Sequence, residues 1–396
     1  DAKLFTSVSE VASGVNLNFG LEVTNNNPYP VVENDVLIRI YRQQDDQLIR
    51  SMNGDEIVDE FYAAENISLD AGQQREYQFD WKIPSLSKSG SYYAVSYVVS
   101  SDKYNLLGLT FTDDIAGDKT FFDIVGAQDG IYFDRNSVQI NDQDHQLISY
   151  PPLYPKDDEI TIEAEIVNES SIDETIVVNW DLYWWDQMSE ENKVDTRTKT
   201  YHVPANDSIV VSYNTSKNEK SVYLLKSQFE LNDVKSILNV RFVREGVNIP
   251  RVNFPGVNSY PLEEGKENNL FSCLHNTNYD DVDNAEYEIL VEDLSGNLIH
   301  EYKYEGFVTG AMMGVQDSFV PQEDFKNFVI KSNLYQNGNL IESDQLTYLC
   351  EDINPDFCNP GVISNRILYM ILIGLVSIFV LWFLILKIKK IKTKTK

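Results

Sequence analysis

The sequence predicts an all-β protein made of three tandem antiparallel β-sandwich domains, followed by one C-terminal transmembrane helix. Three observations lead to this prediction. Apolar and polar residues alternate at period two through most of the chain, with Asn, Asp, Gly and Pro between the alternating segments. The same order of segments occurs three times. Near the C-terminus, an uninterrupted run of twenty residues contains no charge.

One strand shows the repeat most clearly, as YYAVSYVVSSD (92–102), YLLKSQFELND (223–233) and FVIKSNLYQNG (328–338). An earlier strand that ends at Asn also recurs, as NFGLEVTNNN (18–27), TIEAEIVNES (161–170) and LFSCLHNTNY (270–279). About seven short strands per block are typical of a sandwich, in which each of two sheets buries one face against the other. Asn337-Gly338 is a strong hairpin-turn signal inside the third block.

These blocks set the predicted boundaries. The sandwiches cover residues 1–125, 126–246 and 247–352, followed by a juxtamembrane linker (353–366), the helix (367–386) and a basic tail (387–396). Pro-rich segments lie in the first part of the second block, at 148–159, and at the start of the third, at 248–267. Because Pro stiffens such joins, we expect a semi-rigid rod.

Within the first block, LDAGQQREYQFDW (69–81) and YYAVSYVV (92–99) carry a resemblance to a known family. Together with the strand that ends in Asn, they resemble the immunoglobulin-like, CARDB-type adhesion modules of prokaryotic surface proteins, over residues 1 to about 352. The resemblance implies seven-stranded sandwiches that serve spacing, anchoring or protein contact, and it supplies no catalytic residue. The second block departs from the pattern at WWDQMSEENKVD (184–195), where the turn is longer.

The apolar run from Ile367 to Leu386 is long enough, at 1.5 Å per helical residue, to cross a hydrocarbon core of about 30 Å. The alternative, a buried core helix, would normally carry a polar stripe. Lys387, Lys389 and Lys390 begin a basic tail, which predicts that the C-terminus is cytoplasmic. We therefore expect a single-pass cell-membrane protein whose N-terminal region is extracellular.

The charge of the chain restricts its partners. The net charge is −30, and the residues before 365 hold 62 acidic and 25 basic side chains. Such a surface repels phosphate backbones and anionic headgroups, so we expect no nucleic-acid partner. Cationic partners and divalent ions fit better than anionic ones, but solvation of exposed loops by Asp and Glu explains the acidic residues more simply than a specific ion site does.

A Ca²⁺ site is the only cofactor that the sequence suggests. Asp280, Asp281 and Asp283 lie with Asn284 in one oxygen-rich loop. The loop lacks the spaced Gly and distal Glu of helical calcium loops, so a solvated turn is the alternative. No nucleophile elbow, zinc motif or phosphate-binding loop occurs in the sequence, and we expect no enzyme activity.

Three cysteines lie in the block nearest the predicted helix. Cys350 and Cys358 could close a short disulfide loop; Cys273–Cys350, a free thiol and an intermolecular bridge are the alternatives. Glycosylation sequons occur at Asn66, Asn168, Asn206 and Asn214.

Trp184 and Trp185 could form an exposed platform for a carbohydrate or another partner. The alternative is that one Trp enters the core and the other lies at a domain seam.

Together these patterns suggest a structural or adhesive surface protein that tethers or spaces a surface layer or appendage through protein contacts. An accessory subunit of a larger membrane complex, such as a transporter or sensor, is the alternative, and a glycan-active enzyme is a third possibility. Each would have its partner at the cell surface or in the membrane.

Overall fold

A computed structural model of the chain describes residues 1–26, 31–43, 55–100, 119–144, 153–184, 188, 190–246, 250–275, 281–308 and 312–350. Within these residues the protein is all-β, as the alternation predicted, with 24 strands in five sheets and a turn of 3-10 helix at Glu190–Asn192. The predicted helix at 367–386 lies outside the described residues.

The first set of strands has eight members: β1 (Ala2–Phe5), β2 (Glu10–Ala12), β3 (Asn16–Thr24), β4 (Val31–Arg42), β5 (Glu56–Leu69), β6 (Gln74–Lys82), β7 (Gly90–Ser100) and β8 (Lys119–Val125). Strands β1-β3-β6 form a separate three-stranded sheet, and β5-β4-β7-β8-β2 form one half of a larger sheet. Strand β2 is parallel to β8, whereas the other pairs in this set are antiparallel.

The second set contains β9 (Ile131–Ile140), β10 (Gln143–Asp144), β11 (Leu153–Pro155), β12 (Ile160–Asn168), β13 (Glu174–Trp184), β14 (Lys193–Val203), β15 (Asp207–Thr215), β16 (Val222–Leu231) and β17 (Val234–Glu245). Strands β10-β9-β12-β15 form one sheet. Strands β14-β13-β16-β17, with β11 parallel to β17, form the other half of the large sheet.

The third set contains β18 (Arg251–Val257), β19 (Asn268–His275), β20 (Val282–Asp293), β21 (Leu298–Val308), β22 (Met312–Phe319), β23 (Phe328–Gln336) and β24 (Asn339–Tyr348). They form two sheets, β18-β19-β22 and β21-β20-β23-β24. The three copies of the repeated strand lie in β7, β16 and β23, and each pairs with the corresponding strand of its own set, β4, β13 or β20.

The cores explain why the strands alternate. In the first set, Phe19 of the three-stranded sheet contacts Phe122 of the large sheet with ring centroids 5.8 Å apart, and one apolar cluster includes residues of both sheets. In the second set, Phe133 and Phe229 meet across the two sheets at 5.1 Å. Each sandwich therefore removes one face of every sheet from water, which stabilises it by about 1.5–3 kcal/mol per large apolar side chain.

Two-residue turns connect several neighbouring strands. Asn337 and Gly338 have φ of 51° and 77° between β23 and β24, which confirms the predicted hairpin. Asn232 and Asp233 make the corresponding turn between β16 and β17, with φ of 52° and 66°. Asn, Asp and Gly tolerate this left-handed region better than other residues, so they fix the strand register at these points.

The structure also explains why Asn recurs at the end of the early strand of the first two sets. Nδ2 of Asn25 lies 3.2 Å from the carbonyl oxygen of Leu69 and 3.1 Å from that of Asp70. Nδ2 of Asn168 makes the equivalent contacts with Val203 (3.2 Å) and Pro204 (3.1 Å). Each buried amide therefore satisfies backbone carbonyls of the segment that leads into the neighbouring strand, β6 or β15.

The large sheet is continuous between the first and second sets. Ile57 at the start of β5 pairs with Ile237 of β17, so the two halves join edge to edge. The sheets of the third set have their own strand orders and contain no strand from the other sets. This join positions the candidate site.

Candidate functional site

Where the two halves of the large sheet meet, their second faces are also buried. Strand β4 sends Val36, Ile38 and Ile40 into the core of its own sandwich, whereas Leu37 and Tyr41 enter a separate cluster. We call the contact that contains this cluster the seam. Its apolar residues are Leu37, Tyr41, Ile57, Tyr93, Val95, Tyr97 and Val99 of the first set, and Tyr183, Leu224 and Ile237 of the second.

The tyrosines of the seam are packed and hydrogen-bonded. The rings of Tyr41 and Tyr93 stack with centroids 4.8 Å apart. The Tyr41 hydroxyl lies 3.2 Å from the Tyr97 hydroxyl and also accepts a hydrogen bond from Arg39 Nη1 at 3.2 Å. The apolar cluster thus adjoins a set of buried charges.

Those charges come from the start of β5, where the chain reads DEIVDE (55–60). Asp55 and Glu56 are 3% and 4% exposed, and the Glu60 side chain is 2% exposed. A buried carboxylate is costly unless basic groups and hydrogen-bond donors surround it. Donors to this short segment come from both sets of strands.

Glu60 is the clearest case. Its Oε2 accepts from Arg39 Nε at 2.8 Å, and its Oε1 accepts from Lys226 Nζ of the second set at 2.8 Å. Burial alone would raise the pKa of Glu60, but the charges of Lys226 and Arg39, with their hydrogen bonds, outweigh it and lower the pKa to about 2. Glu60 is therefore ionised and binds one cation from each sandwich.

Asp59 repeats this arrangement nearer the surface. Its Oδ2 accepts from Trp81 Nε1 of the first set at 2.9 Å, and its Oδ1 accepts from Lys235 Nζ of the second set at 2.7 Å. Asp55 accepts from the Tyr93 hydroxyl at 2.9 Å, and its carbonyl oxygen accepts from Arg135 Nη1 at 2.7 Å. Both acids thus connect residues on the two sides of the seam.

Glu56 pairs with Arg42 Nε at 2.8 Å. Burial raises the pKa of Glu56, although Arg42, Lys88 and Ser236 act in the opposite direction. A cavity of about 30 Å³ beside this pair is large enough for a water molecule. At the rim of the seam, Lys88 of the first set forms an ion pair with Glu169 of the second.

The seam has the composition of a structural joint. Its acids are paired with Arg or Lys, or bonded to Tyr and Trp donors, and its apolar residues are packed. Separating the sandwiches would expose the tyrosine cluster and leave Glu60 without Lys226. The arrangement therefore resists bending between the first and second sandwiches.

The predicted Ca²⁺ loop is described only in part. Asp280 lies outside the described residues, and Asp281 and Asp283 are exposed next to Asn284, which has φ of 51°. No group of three or more His, Cys, Asp or Glu that could bind a metal ion occurs in the part of the chain that the structure describes. The Ca²⁺ site stays a prediction.

The cysteine prediction is likewise only partly covered. Cys273 is a free, half-buried thiol on β19, and burial raises its pKa. Its neighbour Leu274 is buried. Cys350 is buried, and Cys358 lies outside the described residues, so their disulfide stays a prediction.

Three of the four sequon asparagines, Asn66, Asn206 and Asn214, are exposed. Asn168 is 1% exposed, and its amide is committed to backbone carbonyls. The folded protein therefore presents the first three to solvent, and glycosylation itself stays a prediction.

Trp184 is partly buried, with Lys220 Nζ 3.6 Å from its ring centroid, and its indole nitrogen donates to Asn192. Trp185 lies outside the described residues. Among the described residues, no helix has the length and hydrophobicity needed to cross a bilayer. The predicted anchor, with Ile367, Leu386, Lys387, Lys389 and Lys390, lies beyond those residues.

Comparison with known proteins does not assign the site. No family model matches the chain, and no curated protein matches it. Similar solved structures include trypsin-activated alpha-2-macroglobulin from Escherichia coli (8% identity, 87% of this chain and 23% of that one, TM-score 0.32) and red sea bream transglutaminase (11% identity, 54% and 30%, TM-score 0.24). The chain spans less than a third of either protein, and similarity this low supports no functional argument.

Proposed function

We propose that the chain is a membrane-anchored extracellular structural or adhesive protein, with three immunoglobulin-like sandwiches that space or tether a surface assembly through protein contacts. The observation that carries the proposal is the seam between the first two sandwiches. A spacer must keep its ends a fixed distance apart, and a joint that buries paired charges on both sides resists bending.

Other features support the same proposal. The strand order of the large-sheet halves repeats in the third set, which fits three related domains at about 1–125, 126–246 and 247–352. The apolar segment 367–386 and the lysines after it fit an anchor with a cytoplasmic tail. A Cys350–Cys358 disulfide would brace the chain next to the bilayer.

The first test is purification of the full chain from its native membrane in mild detergent. We expect a lattice or filament protein to copurify. Copurification of other integral membrane proteins in a fixed ratio to this chain would instead favour the accessory-subunit alternative and would contradict the proposal.

The second test measures rigidity in the full chain. Spin labels are placed on Cys substituted for the exposed residues Glu76 and Thr198. Cys273→Ser removes the thiol that the structure shows to be free, and the labels then report the distance between the two sandwiches. We expect one narrow distance distribution, and Glu60→Gln combined with Lys226→Met should broaden it. A broad distribution in the unmodified seam would contradict a spacer role.

A further inference from the structure

We propose that the outer face of the three-stranded sheet β18-β19-β22 binds a neutral oligosaccharide, with the Phe271 ring as its stacking surface and the amides of Asn258, Asn269 and Gln316 as its hydrogen-bond partners. This would add a class of partner to the proposed surface function, yet it rests on a different part of the molecule. The face bounds an open depression of about 580 Å³. That volume lies in the range of small-ligand sites, about 300–1,000 Å³.

The aromatic group is held against the sheet. Phe271 pairs with Gly256 on one side and with Gln316 on the other, so the three residues form one row across the strands. A Cβ atom added at Gly256 would lie 2.8 Å from Phe271 Cζ. The ring can therefore rest on the backbone only because position 256 is glycine, and Phe271 remains half-exposed there.

The next row supplies polar groups. Asn258 Oδ1 accepts a hydrogen bond from the backbone N–H of Asn269 at 2.8 Å, which orients the Asn258 amide and leaves its Nδ2 group as a donor. Asn269, Gln316 and Ser318 are exposed. An amide is both a donor and an acceptor, so it can bond to a sugar hydroxyl in either direction.

The chemistry of this face favours a neutral sugar. A pyranose ring presents one face of C–H groups, which suits an aromatic ring, and a rim of hydroxyls, which suits amides. Phe271, Asn258, Asn269, Gln316 and Ser318 are all uncharged, in a chain whose net charge is −30. Asp317 also lines the depression, but its Oδ2 lies 2.7 Å from His300 Nε2 of the other sheet, so this carboxylate already has a partner.

The first sandwich contains a natural comparison. Phe5 lies over Gly20, which pairs with Gln78, so the same three residue types form a row on its three-stranded sheet. The rows beside that one carry Glu22 and Asp80. Because charged groups hold their water strongly, we expect this face not to bind a neutral sugar, which makes Phe5→Ala a matched control.

The test uses the full chain in detergent and an array of immobilised neutral oligosaccharides of glucose, galactose, mannose, N-acetylglucosamine or rhamnose. We expect binding to at least one of them. Phe271→Ala and Gln316→Ala should each weaken binding about tenfold, whereas Phe5→Ala should leave it unchanged. Melting curves check that the variants are folded.

Cys273 provides a second readout, because it is a free thiol two residues from Phe271 on the same face of β19. The bound oligosaccharide should slow alkylation of Cys273 by N-ethylmaleimide, and Phe271→Ala should abolish that protection. Failure of every oligosaccharide to bind, or equal binding by Phe271→Ala, would overturn the inference. Neither failure would change the copurification result that tests the proposed function, so the oligosaccharide inference and the proposed function can fail separately.

Discussion

Lys226 Nζ lies 2.8 Å from Glu60 Oε1, although 166 residues separate them in the sequence. The two side chains are 18% and 2% exposed, so the contact is an internal one between two sandwiches. Glu60 also binds Arg39 of its own sandwich. This shared carboxylate makes the seam sensitive to substitution of Glu60.

We expect Glu60→Gln to lower the free energy of unfolding by about 3–5 kcal/mol, because it leaves Arg39 and Lys226 without their counter-charge. Denaturant titration of the purified chain measures this change. The control is Glu263→Gln, which removes the exposed ion pair with Lys266 and should alter stability little. Equal effects of the two substitutions would show that the seam pair adds no stability.

Acid should weaken the seam through the same carboxyl. The pKa of Glu60 is about 2 in the folded protein and ordinarily 4.5, so its contribution is fully present above pH 4.5 and is lost as the pH falls towards 2. The loss amounts to about 3 kcal/mol. Burial raises the pKa of Glu56, whose contribution therefore changes in the opposite direction.

Comparison of Glu60→Gln with the parent chain isolates the Glu60 contribution. Unfolding free energies between pH 6 and pH 2.5 should fall less steeply in the variant. Parallel pH curves for the two proteins would contradict the assignment of the lowered pKa to Glu60.

Asn25 and Asn168, which end corresponding strands of the first two sandwiches, should make similar contributions to the free energy of unfolding. Asn25→Ala removes the amide donor to the carbonyls of Leu69 and Asp70, and Asn168→Ala removes the donor to those of Ile172, Val203 and Pro204, so we expect each substitution to cost about 1–3 kcal/mol. Because the two sites lie in different sandwiches, their effects should add in the double variant.

Thermal melts of the single and double variants measure both expectations. The exposed Asn214 provides the control, and Asn214→Ala should shift the melting temperature little. A neutral Asn168→Ala would show that the recurring Asn has no structural role there.

Arg244 should be essential to the end of the second sandwich. It is 0% exposed, and its guanidinium donates to the carbonyl oxygens of Lys217 and Asp158, each at 2.8 Å. We expect Arg244→Met to cost about 3 kcal/mol, because the carbonyls lose a charged donor. Arg197→Met is the matched control. Arg197 Nη1 also donates to a backbone carbonyl, that of Asn214 at 2.7 Å, but the Arg197 side chain is half-exposed.

Chemical denaturation distinguishes the two arginine variants. Arg197→Met should unfold close to the parent midpoint, and Arg244→Met well below it. If both behave alike, burial does not set the strength of these contacts.

The seam could not be predicted from alternation. In Ile38-Arg39-Ile40-Tyr41-Arg42, period two assigns Arg39 and Tyr41 to a solvated face, whereas both are 0% exposed. One signal was present: the DEIVDE segment places four carboxylates at the start of a strand, and two of them, Asp59 and Glu60, find lysines of the second set. Their partners are too distant in sequence for spacing to identify them.

The Phe271 face was also missed, because its row combines residues from three strands. Gly256, Phe271 and Gln316 have no common motif in the sequence, and only strand register makes them neighbours. The Trp pair at 184–185 was a more conspicuous aromatic signal, but Trp184 is covered by Lys220.

The amino-acid sequence by itself determined the all-β class, the recurrence of the strand in β7, β16 and β23, and the Asn-Gly turn, because alternation and turn chemistry act between neighbours in the chain. Tertiary structure decided which second faces are buried, where Glu60 finds Lys226, and which aromatic ring lies against a glycine. Those contacts join residues far apart in sequence, and their energies depend on burial and distance, which only the folded chain defines.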